Sequence, residues 1–422
     1  MTTHSLPVPP TLSGPQRLCH QLLMLCLTAD LSPAADGNMP EITPADKAEI
    51  SETVCRYSSL QLIERPGGKC GLEGPTLSRR LCLVHTLHQA LRLCPESVRD
   101  YFTPALRRIL QAQNVPRALY DDCNLNALIA LCARSLGRQF SARDAHYLRL
   151  AFQYALAQQT APSAPEFDDP QRRWIEASEE APTANLIFRL WQRRAIAPLH
   201  HHECLFISLL LRRLCIPDPL RDSQPHAQRL HRAILRLTNQ FQSLAGVTFH
   251  NQHHLQQRLY MHLGQALERA IFNIGIENHL PEDIMRLYPR LSRTTHSAIG
   301  PLESEYQITF SQAEKALVTI IFGGWLMRET DLQEKQILLL TNNHPALEAD
   351  LAQALREVTL LPLTICHQTL QDFQRNGPAP DIALIVTPWA TSLPLFSAPI
   401  LQIAPPLNEL QQRRIRDILE QP

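Results

Sequence analysis

The 422-residue sequence has few glycines, no long apolar run and no net charge, and these absences exclude several classes of protein. It has only 14 glycines and none of the Gly-x-Gly-x-x-Gly, Walker, Gly-x-Ser-x-Gly or His-Glu-x-x-His motifs of common cofactor, nucleotide and hydrolase sites. No segment approaches the roughly 20 apolar residues that a membrane helix needs. The opening MTTHSLPVPPTLSGPQR lacks a cationic start followed by an apolar core, so we predict no signal peptide and a cytoplasmic location.

The cysteines argue against a zinc-bound or disulfide-stabilised protein, and the charged residues argue against a basic nucleic-acid-binding protein. Eleven cysteines are scattered singly, and none forms a Cys-x-x-Cys pair, so neither a zinc knuckle nor a disulfide framework is predicted. Forty basic residues balance forty acidic ones, which leaves no overall positive field to hold nucleic acid. Histidine tracts at 200–202 and 250–254 are the best metal candidates, but consecutive side chains diverge, and a solvated loop is favoured. We therefore predict reduced thiols, no metal and no cofactor.

The N-terminal region, residues 1–75, has the element order of a winged helix. Helix-like stretches at 16–27 and from residue 44 precede two strand-like runs that flank Pro66-Gly67-Gly68. Glycines supply the positive φ that a tight reversal needs, so residues 60–74 are predicted to form a β-hairpin. Residues 1–80 carry seven basic and eight acidic side chains, and a net charge of −1 is poor for binding phosphates.

Residues 76–135 are predicted to be helical, as a second winged-helix-like piece or as a connector. This stretch is richer in arginine, and any contact with nucleic acid is expected here first. A solvated basic helix face is the alternative and the commoner meaning of such a pattern. The arginines concerned are Arg92, Arg99, Arg107, Arg108 and Arg117.

The rest of the chain divides into a long helical part and a short α/β part. Apolar residues recur with helical spacing over residues 255–274, which predicts a helix with one buried face. After residue 334 the pattern changes to strand candidates at 336–341, 361–366, 381–388 and 399–404, separated by helical pieces. This alternation predicts a small α/β domain with a mainly parallel sheet over residues 333–422.

One helical segment, LYMHLGQALERAIFNIGIENHLPEDIMRLYPRL, resembles the core of phosphotransferase-regulation (PRD) domains. The family pattern of a phosphorylatable histidine, an arginine two turns later, Asn-x-Leu and Tyr-Pro appears as His262, Arg269, Asn278 with Leu280, and Tyr288-Pro289. A second family signature appears as EKALVTIIFGGWL at 314–326, with Ile321 where the second histidine is expected. The resemblance implies a helical-bundle PRD domain at 221–332, with His262 as the phosphoacceptor candidate and Arg269 in support.

The preceding stretch, residues 136–220, resembles a degenerate copy of the same domain. AHYLRLAFQYAL aligns with the first histidine helix and places Tyr147 and Tyr154 at the histidine and arginine positions. ECLFISLLLRRL aligns with the second and places Leu210 at the histidine position, so the spacings are 210 − 147 = 63 and 321 − 262 = 59. Of four phosphoacceptor positions, only His262 remains a histidine. The alternative for His262 is a neutral imidazole that flanks the buried stripe of its helix.

The C-terminal segment resembles an enzyme IIB-like domain of sugar phosphotransferase systems. Such a domain carries a cysteine nucleophile after its first strand, but this chain has Thr341 there. A thiolate is the group that this chemistry needs, so no phosphocysteine and no enzyme activity are predicted. The predicted fold class is mainly α, with a winged-helix-like start, two tandem PRD bundles and the small α/β domain.

The family resemblance implies a regulator of transcription that is controlled by phosphorylation. Its expected partners are the phosphocarrier protein of the sugar phosphotransferase system, DNA with weak support, and a second copy in a homodimer; a membrane is not expected. Phosphorylation adds nearly two negative charges at a helix interface, which can pair with arginine or force helices apart. The alternative function is an interaction module that binds no DNA and docks to phosphocarrier proteins or to other regulators.

Overall fold

The computed structural model describes ten stretches of the chain, which are mainly helical with a small sheet near the C-terminus, as predicted. These stretches are 12–29, 42–65, 69–158, 164–195, 198–214, 225–276, 281–329, 335–377, 381–390 and 398–420. The chain folds as two compact units, Met1–Ile216 with Ile271–Gly275, and Pro217–Ala270 with Ile276–Pro422. In the described stretches, no helix is both long enough and apolar enough to cross a membrane.

The first unit begins with helices and a hairpin. Its elements are α1 Gly14–Ala29, α2 Pro44–Val54, β1 Gln61–Arg65, β2 Lys69–Glu73, α3 Thr76–Leu93, α4 Pro95–Ser97, a π-helical turn Val98–Phe102, α5 Thr103–Ala112, α6 Arg117–Tyr120 and α7 Asp122–Leu136. Strands β1 and β2 pair antiparallel, which confirms the hairpin, although its predicted turn residues 66–68 lie outside the described stretches. Residues 76–135 contain helices and no strand.

Helix boundaries in this unit follow local capping chemistry. The Thr43 side chain accepts a hydrogen bond from the backbone of Asp46 at the start of α2, where Pro44 occupies the first turn. Helix α7 ends at Gly137, whose φ of 60° is the left-handed conformation that glycine adopts without strain. Helices α1 and α3 pack against each other through a largely buried seam of leucine and cysteine side chains.

A helical bundle completes the first unit. Its elements are α8 Ala142–Gln158, α9 Asp169–Glu176, α10 Ala181–Gln192 and α11 His202–Arg212. Helix α9 begins with a capping box in which Asp168 and Gln171 each bond the other's backbone N–H. Phe152 of α8 packs edge-on against Trp191 of α10, with ring centroids 5.8 Å apart, so the bundle has an aromatic core.

The second unit begins with a bundle of five helices. These are α12 Pro225–Ala245, α13 Gln252–Ile271, α14 Pro281–Leu287, α15 Pro289–Tyr306 and α16 Gln312–Glu329. Phe241 of α12 stacks on Phe322 of α16, with ring centroids 3.9 Å apart, which fixes the register between these two helices. Gly323 lies beside Leu291 of α15, and a Cβ at residue 323 would come within 3.0 Å of that leucine. Because Gly323 has no side chain, α15 and α16 can approach each other closely at this point.

The α/β domain closes the second unit. Its elements are β3 Lys335–Leu340, α17 Pro345–Arg356, β4 Leu363–Gln368, α18 Leu370–Asn376, β5 Ile382–Thr387, β6 Ile400–Gln402 and α19 Glu409–Leu419. The strand order is β4-β3-β5-β6 and every pair is parallel, which confirms the predicted parallel sheet. Alternate residues of β3 enter two separate cores, Leu339 on one face and Leu338 on the other, because a parallel sheet is covered on both faces.

Candidate functional site

His262 lies on α13 at the edge of the buried stripe that anchors this helix. The buried side of α13 includes Leu259, Leu263 and Leu267, and the His262 side chain beside it remains 17% exposed. Arg269 is seven residues further on, so it lies on the same face about 10.5 Å along the helix axis. The spacing predicted from the sequence therefore places an imidazole and a guanidinium on one side of α13.

Glu314, in the first turn of α16, lies between these two side chains. Ser311 precedes the helix and its hydroxyl accepts a hydrogen bond from the backbone N–H of Glu314, which fixes the start of α16. The Glu314 side chain is 6% exposed. A carboxylate in the first turn also faces the positive end of the helix dipole, so this position favours a negative charge.

The three side chains form an ion cluster centred on the Glu314 carboxylate. Arg269 Nε donates a hydrogen bond to Glu314 Oε1 at 2.6 Å, and His262 Nε2 lies 3.2 Å from Glu314 Oε2. Burial raises the pKa of Glu314, but the neighbouring imidazole and guanidinium together lower it by more, so the net pKa lies below the ordinary value. The carboxylate is therefore ionised at neutral pH.

The contact between His262 and Glu314 differs from the contact between Arg269 and Glu314. Neither His262 Nε2 nor Glu314 Oε2 is aligned for a hydrogen bond, although both atoms are buried. The imidazole contact is thus electrostatic and depends on protonation, whereas the arginine contact is a charge-assisted hydrogen bond. Arg269 holds the carboxylate in place, and His262 is the member of the cluster that offers a ring nitrogen as a nucleophile.

The remaining signature residues of the second bundle lie on α15 and α16. Ile321 lies seven residues after Glu314 on α16 and is partly buried, so the structure has no imidazole at the second position. Tyr288 and Pro289 form the start of α15, where the proline occupies the first helical turn. The predicted Asn278 and Leu280 lie outside the described residues.

In the first bundle, the residues that the family resemblance aligns with the histidines and the arginine are buried. Tyr147 of α8 is fully buried and its ring lies edge-on to His88 of α3, with centroids 5.4 Å apart. Tyr154 of α8 is also fully buried, and Leu210 of α11 is 1% exposed. None of these three side chains is accessible to a phosphoryl donor.

A buried ion pair in the first unit was missed by the sequence analysis. Arg80 Nη1 of α3 donates to both carboxylate oxygens of Glu203, at 2.9 and 2.8 Å, and both side chains are almost fully buried. The Arg80 guanidinium also lies 5.3 Å from the ring centroid of Phe206 on α11. Glu203 precedes Leu210 by seven residues, just as Glu314 precedes Ile321 by seven. That shared spacing was the one sequence signal for Glu203, which the histidine tract beside it obscured.

One of the metal candidates and two of the nucleic-acid candidates have ordinary partners in the structure. His202 Nδ1 lies 2.8 Å from the carbonyl oxygen of Pro165, and across the described stretches no group of three or more side chains is placed to hold a metal ion. In the arginine-rich region, Arg99 pairs with Asp100, and Arg107 pairs with Asp122.

Thr341 ends β3 at the carboxyl edge of the parallel sheet. Its side chain is 1% exposed, its hydroxyl donates to the Glu348 carboxylate, and its backbone N–H donates to the carbonyl of Gln368 at 3.2 Å. His367 Nδ1 lies 3.6 Å from the second oxygen of Glu348. A carboxylate therefore occupies the space beside Thr341.

Comparisons with known proteins match the two parts of the second unit separately. A family model of the PRD domain matches residues 235–325, which include His262, Arg269 and Glu314. The model of the C-terminal domain of the stationary phase-inducible protein CsiE matches residues 335–419. The whole chain is 44% identical over 421 residues to the stationary phase-inducible protein CsiE of Escherichia coli (strain K12), which covers 99% of both chains. The chain therefore belongs to the CsiE family of stationary phase-inducible proteins and carries a PRD domain.

Proposed function

We propose that this protein is a regulator whose PRD domain is phosphorylated at His262 by a phosphohistidine-bearing phosphocarrier protein. The observation that carries the proposal is the cluster in which His262 and Arg269 flank the buried Glu314 carboxylate. In the transfer, the P–N bond of the donor histidine breaks and a P–N bond to the His262 imidazole forms. His262 gives up a proton, and the donor imidazole regains one.

Phosphorylation would change the cluster because it adds negative charge beside an existing anion. A phosphoryl group carries between about −1.5 and −2 charges at neutral pH. Two unit charges about 4 Å apart near a protein surface interact by about 4 kcal/mol, which is a large fraction of the roughly 5–15 kcal/mol net stability of a domain. Arg269 then faces two anions, and the start of α16 must move away from α13 or the phosphoryl group must replace Glu314 on the arginine.

The first bundle has a different part in this proposal. We propose that residues 136–220 are a degenerate second PRD whose phosphorylation positions have become core residues, Tyr147 and Leu210. The N-terminal regions 1–75 and 76–135 would then be the output part, which acts in transcription as winged-helix-like DNA-binding elements. The protein would work in the cytoplasm as a homodimer, without enzyme activity, and Thr341 would leave its IIB-like domain unable to form a phosphocysteine.

A second candidate function is a docking module that binds no nucleic acid. It is favoured by the pairing of Arg99 and Arg107 with neighbouring aspartates, which reduces the positive charge offered to phosphates. A DNA mobility-shift assay on the full chain at rising salt separates the two functions. Phosphate contacts predict binding that weakens steeply with salt, and a docking module predicts no shift at any salt concentration.

The proposed modification is tested by phosphorylation in a defined system. The full chain is incubated with phosphoenolpyruvate, the first enzyme of the phosphotransferase system and the phosphocarrier protein, and the label is located by mass spectrometry. We expect acid-labile label on His262, its loss in His262→Ala, and its retention in His254→Ala, which changes an exposed histidine of the same helix. Equal label in all three proteins would refute the assignment.

A further inference from the structure

Two arginines at the start of α15 reach from the PRD bundle to the C-terminal α/β domain. Arg290 Nη1 donates hydrogen bonds to the carbonyl oxygen of Val358 at 2.5 Å and to Glu420 Oε1 at 2.9 Å. Arg293, one turn later on α15, pairs with Glu357. Both arginines and their acceptors belong to the second compact unit, so these contacts form a joint between its two parts.

Arg290 occupies a position that is unfavourable for its own helix. It follows Pro289 in the first turn of α15, and that turn contains no acidic residue. The first turn of a helix carries a partial positive charge, which favours acidic side chains there and disfavours a guanidinium. A cation that is misplaced for its own helix indicates a role outside that helix.

The ends of three other helices meet at the Arg290 guanidinium. Arg290 Nη2 donates a hydrogen bond at 3.4 Å to the carbonyl oxygen of Ala245, the last residue of α12. Val358 lies two residues after the end of α17, and Glu420 is the first residue after α19. The C-terminal end of a helix carries a partial charge of roughly −0.5 and has carbonyl groups without partners inside the helix. One guanidinium therefore neutralises helix ends that come from both the bundle and the α/β domain.

The ion pair at the centre of the joint is largely shielded from solvent. The side chains of Arg290 and Glu420 are 16% and 27% exposed. Glu420 Oε1 also accepts hydrogen bonds from the backbone N–H of Leu360 at 3.2 Å and from the Thr359 hydroxyl at 3.3 Å, so the α/β domain fixes its position. Burial lowers the pKa of Arg290 and Glu420 opposes this effect, but a guanidinium stays charged in proteins. Loss of either partner would leave the other charge half-buried and unpaired.

We propose that Arg290 couples the PRD bundle to the C-terminal α/β domain, so that a change in the packing of the bundle alters the stability of α19. The bundle side of the joint is built from α12 and α15, and the α/β side is built from the turn after α17 and the residue after α19. A shift of α15 against α12 would move the guanidinium away from Glu420 and release the end of α19. The coupling is a property of the joint itself and does not depend on phosphorylation of His262.

Hydrogen exchange of the full chain, followed by mass spectrometry, tests the joint. Arg290→Met should speed exchange over residues 357–361 and 409–420 at least about tenfold, because the helix ends lose their shared cation and Glu420 is left unpaired. Arg293→Met is the matched control, because it removes the second ion pair of the same joint. The Arg293 side chain is 65% exposed, so exchange over the same residues should change less than about twofold.

A weakened bundle distinguishes coupling from a purely local effect of the substitution. Phe322→Leu removes the ring that stacks on Phe241 inside the bundle and leaves the joint itself unchanged. In the wild-type background, this change should also speed exchange in α19 by at least about threefold, because the two parts share one joint. In the Arg290→Met background, Phe322→Leu should add nothing to exchange in α19.

Glu420→Gln provides a second route to the same answer from the α/β side of the joint. It removes the negative charge that Arg290 neutralises, and it should speed exchange over residues 409–420 in the same direction as Arg290→Met. If Arg290→Met does not fold, Glu420→Gln replaces it in both comparisons. The proposal is wrong if exchange in α19 is no faster in these variants than in Arg293→Met, or if Phe322→Leu speeds it equally with the joint intact and broken.

Discussion

The two helical bundles each place a buried glutamate at the start of a helix, but they neutralise it differently. In the first, Glu203 is held by Arg80, which comes from α3, and both side chains are sealed from solvent. In the second, Glu314 is shared between Arg269 and the ionisable His262, both on α13. The comparison teaches that a buried carboxylate at the start of a helix can be sealed by a single guanidinium, as in the first bundle, or shared with a partly exposed imidazole, as in the second.

Among the variants that test this comparison, Arg80→Met should lower the free energy of unfolding most. The substitution leaves the Glu203 carboxylate buried without its guanidinium, which typically costs about 3–5 kcal/mol. We expect that loss in the free energy of unfolding of the first unit, measured by urea denaturation of the full chain. Arg99→Met, which removes an exposed ion pair, is the control and should leave the free energy of unfolding nearly unchanged.

A double variant separates the charge from the packing at this pair. Arg80→Met with Glu203→Met replaces both ions by apolar side chains and should recover most of the loss, because no unpaired charge remains. A double variant as unstable as Arg80→Met alone would show that the ion pair is not what ties α3 to α11.

Glu314→Gln should have the next largest effect, about 1–3 kcal/mol at pH 7, because Arg269 loses a charged acceptor. The pKa of Glu314 is lowered in the folded protein, so its stabilisation is fully present above the pKa of an unfolded glutamate, about 4.3. This stabilisation is lost as the pH falls below the unfolded value and through the lower pKa of Glu314 in the folded protein. Urea unfolding from pH 7 to 3 should therefore show the variant and the wild type converging at acid pH.

The exposed Glu282 of α14 supplies the control for this experiment. Glu282→Gln should change the free energy of unfolding by no more than about 0.5 kcal/mol over the same pH range. A constant difference between Glu314→Gln and the wild type from pH 7 to 3 would contradict the assigned ion cluster.

His262→Gln should have the smallest effect on stability, less than about 1 kcal/mol at pH 7, because its contact with Glu314 is electrostatic and the ring is partly exposed. It should nevertheless remove the phosphorylation label completely. A loss of several kcal/mol in urea denaturation would show instead that the histidine is a structural core residue.

The features with a local sequence pattern were the ones that the sequence predicted. The apolar spacing of α13, the antiparallel pairing of β1 with β2, and the alternation of strands and helices after residue 334 each depend on residues close together in the chain. His262 and Arg269 were predicted because their seven-residue spacing on one helix matches the pattern of PRD domains.

The buried ion pairs of the two helical bundles have no such local sequence pattern. Arg80 and Glu203 are 123 residues apart, and Arg269 and Glu314 are 45 residues apart, so their pairing is set by how the helices pack. A charged residue on a helix is usually solvated, and its sequence neighbours do not show that it is buried.

Hydrogen exchange of the full chain before and after phosphorylation tests the central claim most directly. We predict label on His262 together with faster exchange at the start of α16 and in α13, because the phosphoryl group competes with Glu314 for Arg269. Exchange in α11, where Arg80 holds Glu203, should not change. Absence of label on His262, or label with unchanged exchange in α16, would contradict the account.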